Sequence, residues 1–379
     1  MSLRLLAVAA LLAGAPSLHA AQDVAPLALP GDWEVGTPSS QGFSAAALDS
    51  VARKAEAGEF GEVHSLLVVR GGRLVYERYF RGWDMWQMHT IQSVSKSVTS
   101  ALIGIAIGDG VIKGVDQPVA DFFPEHRALF EQDPRKQRLR LKHVLTMTLG
   151  NDWNERAHPY SSPDNIVWQM AMAEDWMGFV LGRSMVKDPG GPFNYNSGSS
   201  LLLSGILQNT TGMQAHVYAE KRLFDPLGIP VYGWYRNLAH PKHWSHTGGG
   251  VNLRPRDLAK IGFLYVNRGV WQGKQVVPAT WIAQSVEPRV QVDSTLWYGY
   301  QWWLQPLARE GGERGAPNDV IEGRGWGGQY IVAVPSRNLL VAVTSGSFHD
   351  VKVERLALAM ALNHVVPLAK GGAAARDNR

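Results

Sequence analysis

Apolar positions along the chain change their spacing several times, and each change predicts an element. Residues 44–59 carry apolar side chains at helical spacing behind Ser44, a residue that caps helices well, and predict an amphipathic surface helix. Residues 63–70 and 73–80 are rich in β-branched and aromatic side chains and are joined by Gly71-Gly72, which predicts an antiparallel hairpin with a tight turn. Residues 93–109 form an apolar stretch of helical length ended by Gly110, and from there to about residue 285 the signals are helices and loops. Strand-like runs return at 297–304, 328–334 and 339–345, and residues 351–365 read as a closing helix.

The order of these elements predicts an α/β (α+β) fold. A central antiparallel sheet is built from residues 63–80 and 297–346 and flanked by helices, with a largely helical region over about 111–290. No fixed-period repeat interrupts this order. Residues 21–366 read as a single domain and 367–379 as a loose tail.

Composition narrows the function classes. The 379 residues are 45% hydrophobic and 18% charged, so the chain can bury a full core. A formal net charge of +4, with no long run of like charge, argues against a nucleic-acid partner. The absence of cysteine excludes disulfides, thiolate metal sites, a thiol nucleophile and a lipoprotein anchor. Arg4, the apolar run 5–15 and the small-residue exit at Leu18-His19-Ala20 predict a secretory signal peptide over residues 1–20. No later run is long enough to span a bilayer, so a periplasmic or secreted protein without a membrane span is expected.

Candidate chemistry comes from nucleophile motifs. The G-x-S-x-G elbow is absent. S-x-x-K, expected by chance about once in a chain of this length, occurs twice. Ser184-Met185-Val186-Lys187 runs into Asp188-Pro189-Gly190-Gly191, where no helix can align its ends. Ser93-Val94-Ser95-Lys96 instead opens the predicted helix, and i, i+3 spacing sets serine and lysine on one face. A lysine one turn away in a dry site can lower the cost of deprotonating a serine hydroxyl, and the helix N-terminus offers the Ser93 N–H to an oxyanion. Tyr195, on the loop Phe193-Asn194-Tyr195-Asn196-Ser197-Gly198, is the candidate second acid or base. Which of Lys96 and Tyr195 takes the proton depends on burial and neighbours.

With those residues the chain resembles the serine hydrolases built like class C β-lactamases and penicillin-binding proteins, and most of all the 6-aminohexanoate-dimer hydrolase branch. The resemblance runs through most of residues 60–350. It takes in Leu141 to Gly150 with Asp152-Trp153, Leu223 to Gly228, Gly248 to Ala259, Trp271 to Lys274 and Gly325 to Gln329. It implies a β-lactamase/transpeptidase-like fold and an acyl-enzyme in which Ser93 attacks a carbonyl while Lys96 and Tyr195 manage its proton. It also places the family's third motif on Trp326-Gly327-Gly328, with the N–H of Gln329 as second oxyanion donor. Penicillin-recognising members usually carry asparagine where this chain has Ser197 and lysine where it has Trp326. Losing that cation removes a contact of roughly 1.5–3 kcal/mol to a substrate carboxylate. A small-molecule ester or amide is therefore the expected substrate, with no metal or organic cofactor. Tyr160, Trp176, Ser197, Trp326, Gly327 and Gly328 are the candidate substrate-binding residues.

Other motifs carry less. Gly323 to Gly328 satisfies G-x-G-x-x-G but precedes a strand rather than opening a helix, so it is not a dinucleotide loop. His240, His243 and His246 recur every third residue, but Pro241 breaks any helix that would align them on a metal. His246-Thr247-Gly248 imitates the third motif without the strand that should follow. A β-lactamase, or a ligand-binding sensor of the same fold, are the alternatives to an esterase or amidase.

Overall fold

A computed structural model describes residues 23–308 and 313–369. The predicted leader, 1–20, and the tail beyond 369 lie outside them. Among the described residues no helix is long and apolar enough to cross a membrane.

Eight antiparallel strands form the main sheet: β1 (Val63–Arg70), β2 (Arg73–Tyr79), β3 (Val290–Gln291), β4 (Trp297–Tyr298), β5 (Trp303–Gln305), β6 (Val320–Gly325), β7 (Gln329–Val334) and β8 (Leu339–Ser345). Their order is β2-β1-β8-β7-β6-β5-β4-β3, so the N-terminal hairpin and the C-terminal strands share one sheet, as the sequence predicts, with β1 placed directly against β8. Gly71 and Gly72, at φ 57° and 77°, turn that hairpin in a conformation other residues rarely adopt.

The helices cover both faces. Leu66 and Val68 of β1 point to a core shared with α1 (Ala45–Glu56) and α5 (Val351–Ala359), whereas Leu67 and Val69 point to a larger core. That larger core takes α2 (Val94–Gly108), α3 (Ser197–Thr211) and α4 (Pro255–Val266). Covered on both sides, the middle of β1, Leu66-Leu67-Val68-Val69, reads as one apolar run with no alternation. Each fully buried Leu or Val contributes about 1.5–3 kcal/mol. Ser44 caps α1 through the Ala47 N–H at 3.3 Å, and every residue of α2 from Val94 to Ala106 is buried.

Three expectations need correction. The run 297–304 is two strands, because Gln301 takes φ 65° between them and its buried amide donates to Leu145 O at 2.8 Å. β6 gave no recognisable strand pattern, since Gly323 and Gly325 occupy positions where a side chain would strike α2 and its lead-in. A Cβ on Gly325 would lie 2.5 Å from Ile91 O, and one on Gly323 3.0 Å from Val94. Pro367 and Leu368, assigned to the tail, instead belong to a 3₁₀ turn (Val366–Leu368) followed by Ala369, which is 3% exposed.

Candidate active site

Ser93 sits at the N-terminus of α2, where β6 packs close and a small second sheet arrives. In that sheet His89–Thr90 pairs with Val251–Leu253, which pairs with Gly233–Trp234. The pairing brings the loop before Val251 against the start of α2, and the Ser95 hydroxyl fixes it by accepting from Val251 N at 3.1 Å. Gln92 holds φ 45°, an uncommon backbone state for a side-chain-bearing residue, immediately before Ser93. The Ser93 side chain makes no capping bond, which leaves its hydroxyl facing Lys96 and Tyr195.

Lys96 Nζ lies 3.1 Å from Ser93 Oγ and 3.2 Å from Ser197 Oγ, and it also donates to Gly248 O. The residue is 2% exposed, and its acceptors are two hydroxyls and a carbonyl. Burial pushes its pKa down to about 8, against the opposing pull of the Glu155 charge. Tyr195 moves the other way. Burial first, and then Glu155, raise its phenol above the ordinary value, against its hydrogen bond with Ser93 and the charge of Arg156. Of the two groups the sequence leaves open, Lys96 is suited to accept the Ser93 proton and Tyr195 to remain a donor.

Gln329 heads β7 opposite Gly325, at the sheet end beside Ile91. Its side chain is tied to Ser345 O at 2.6 Å and Trp326 O at 3.3 Å, which fixes the backbone whose N–H the sequence reading offers to an oxyanion. Trp326 packs on Tyr160 with ring centroids 5.7 Å apart, and both are partly exposed, as a cleft wall requires.

The other predicted lining residues are placed differently. Trp176 is fully buried in the larger core, edge-on to His246 at 5.5 Å, so it supports the loop behind Lys96 and does not wall the cleft. Gly327 gives its N–H to Glu354 Oε2 of α5 at 3.3 Å, and Gly328 gives its own to Gly325 O within the β6–β7 turn at 3.2 Å, so both donors are already used. Ser197 is 5% exposed, and its hydroxyl bridges Lys96 to Glu155. The second S-x-x-K lies in an extended segment, with Met185 bridged to Asn151. Among the described residues no group of three or more His, Asp or Glu could hold a metal. His240 instead stacks on Trp244, centroids 3.9 Å apart.

Three residues at the site escaped the sequence reading. Trp303 stacks on Tyr195 with centroids 5.7 Å apart. Arg156 stands over the same ring at 5.7 Å. Glu155, 1% exposed, accepts from Trp153 Nε1, Tyr160 OH and both donors of Ser197. The one sequence signal was proximity, since Glu155 and Arg156 follow Asp152-Trp153 after a single residue, Asn154. His246, set aside as a false third motif, does lie beside Lys96; burial first, and then the Lys96 cation, hold its imidazole at about 4.

The family described as Beta-lactamase matches residues 57–364. The chain is similar to the 6-aminohexanoate-dimer hydrolase of Paenarthrobacter ureafaciens, 25% identical over 309 residues covering 74% of this chain and 72% of the relative. Among solved structures it is similar to EstCE1, a hydrolase with promiscuous acyltransferase activity, at 13% identity and TM-score 0.66 over 83% of this chain and 97% of that one. It is likewise similar to a penicillin binding protein from Bacillus halodurans, at 16% identity and TM-score 0.62 over 82% of this chain and 98% of that one. At these identities the structural likenesses speak for the fold.

Proposed function

The chain belongs to the Beta-lactamase family, whose members are serine hydrolases, and we propose that it cleaves a carboxylic ester or amide through an acyl-enzyme on Ser93. The observation that carries this reading is the convergence of Ser93 Oγ, Lys96 Nζ at 3.1 Å and the Tyr195 phenol in one partly open site. Neutral Lys96 takes the Ser93 proton as Oγ bonds to the substrate carbonyl carbon. The carbonyl oxygen becomes an oxyanion held by the N–H groups of Ser93 and Gln329. As the tetrahedral intermediate collapses, the bond to the leaving oxygen or nitrogen breaks and Tyr195 supplies its proton, replenished from Lys96. A water then attacks the acyl carbon, and the same groups return the proton to Ser93.

Trp326 stands where a β-lactam carboxylate would need a cation, which favours simple esters and linear amides. The relative from Paenarthrobacter ureafaciens makes a linear amide dimer the first amide to try. The reading includes export, resting on the leader pattern of residues 1–20; N-terminal sequencing of protein recovered from the periplasm is expected to begin at Ala21.

The test compares the protein with Ser93→Ala on a short-chain p-nitrophenyl ester, a linear amide dimer and a chromogenic cephalosporin. Turnover of the ester or amide that falls by roughly 10³-fold or more in the variant supports the reading. Turnover of the cephalosporin alone assigns a β-lactamase instead. A stable adduct on Ser93 without turnover assigns a sensor.

A further inference from the structure

The roles assigned to Ser93, Lys96 and Tyr195 leave Glu155 unused. It is 1% exposed, and its oxygens receive Trp153 Nε1 at 2.7 Å, Tyr160 OH at 2.8 Å, Ser197 N at 2.6 Å and Ser197 Oγ at 2.9 Å. Four donors and no cation converge on it, so the charge it carries in the interior is balanced only at one remove. The balance runs through a single hydroxyl: Lys96 Nζ donates to Ser197 Oγ at 3.2 Å, and Ser197 Oγ donates onward to Glu155 Oε1. Ser93, Lys96, Ser197 and Glu155 therefore form one unbroken hydrogen-bonded chain.

We propose that Glu155 is a positioning residue for acylation: through Ser197 its carboxylate holds the Lys96 ammonium, and so sets the pH range over which Ser93 becomes nucleophilic. The inference rests on the serine-hydrolase reading above. It assigns Ser197 a place in the proton path and explains why Lys96, which has no carboxylate in direct contact, still has an anion close by.

Other charges facing this cluster do not imitate the effect. From the loop before α3, Tyr195 sets its ring 5.2 Å from Lys96 Nζ. Burial raises Tyr195, and it raises Tyr160 on the Glu155 loop and Tyr298 on β4 as well, so all three keep their protons at neutral pH. From the loop before Val251, His246 is held at about 4 and is neutral above that. The Arg156 charge pulls the Tyr195 pKa down and that of Glu354 on α5 pushes it up. Across neutral pH, Lys96 is thus the group in the cluster whose charge changes.

The decisive variant is Glu155→Gln, which keeps the size and hydrogen-bonding reach of the side chain and removes its charge. Without that anion the ammonium is less favoured, so the acid limb of kcat/KM moves to lower pH by about one unit. Well below the limb, the variant then keeps about tenfold more of its own plateau rate than wild type keeps. The rate at which a fluorophosphonate labels Ser93 is expected to shift in the same way, with no substrate binding involved. Tyr160→Phe, which removes one donor and leaves the charge, is expected to leave the limb in place. A Glu155→Gln enzyme that loses stability or rate at every pH with an unmoved limb overturns the proposal, because a purely structural role does that. Should Glu155→Gln not fold, Ser197→Ala cuts the same link, and its limb must also move to lower pH or the proposal fails. Wild-type protein that neither turns over substrate nor labels at Ser93 sinks the hydrolase reading itself; an active, labelled enzyme with an unmoved limb sinks only the role of Glu155.

Discussion

Two lysines of this protein are equally hidden, Lys96 at 2% exposure and Lys260 at 1%, yet their surroundings differ in kind. Lys260 meets carboxylates directly, Asp32 at 2.9 Å and Asp257 at 3.2 Å. Its neighbour Arg256 is bound by Glu77 at 2.5 Å and Asp32 at 3.0 Å. Burial would lower the Arg256 pKa, but the two acids outweigh it and raise the guanidinium above its ordinary value. Lys96 has hydroxyls and a carbonyl in those places, with Glu155 one hydroxyl away, and burial wins. Direct carboxylates fix a buried cation as part of the framework, whereas hydroxyls leave its proton loosely held and available for transfer.

Removing the cation from each region tests this contrast. Lys96→Met is expected to cut kcat/KM by roughly 10³- to 10⁴-fold, about 4–5.5 kcal/mol of transition-state stabilisation. Its melting temperature should stay level or rise, because a poorly compensated buried cation has been replaced by an apolar side chain. Arg256→Met should do the reverse. Denaturant unfolding is expected to lose about 3–5 kcal/mol, since Glu77 is left buried without its cation and Asp32 keeps only Lys260. The kcat of the folded fraction should remain within about twofold, there being no contact between that network and Ser93.

Acidification discriminates next. Burial, aided by nearby positive charge, holds His64, His143 and His246 at about 4, below the ordinary 6.5. Between those values the unfolded chain binds more protons than the folded one, so stability rises with pH across that window and is lost as pH falls through it. Stability by denaturant titration should drop from pH 7 to pH 4, by up to about 3 kcal/mol for each of the three imidazoles. Asp32, whose pKa is lowered by Lys260 and Arg256 against its burial, keeps its contribution until still lower pH. The smallest effect belongs to exposed pairs. Arg127 and Glu131, 83% and 62% exposed, form an i, i+4 contact at 3.1 Å, and Arg127→Ala should cost under about 0.5 kcal/mol.

The same division between local and assembled features decides what could be read from the sequence. The hairpin at Gly71-Gly72 and the Ser44 cap are set by neighbouring residues, and both were legible. The i, i+3 geometry of Ser93 and Lys96 is also local to one helix, and it was found. β6 was not found, because Gly323 and Gly325 answer to the approach of α2 and its lead-in rather than to strand pattern. Trp176 was misplaced for a related reason: an aromatic side chain on a short helix carries no local mark of whether it faces a cleft or a core. Glu155 was invisible because its link to Lys96 passes through Ser197, 42 residues further along, and the two meet only in the folded chain.

The most direct test of the account is titration of the Lys96 side-chain nitrogen by NMR in isotopically labelled protein, with Lys96→Arg identifying the resonance. A midpoint at about 8 is the predicted result. A midpoint at or above 10.5, the ordinary value for lysine, would contradict it: Lys96 would then be a permanent cation like Arg256, and some other group would have to take the proton from Ser93.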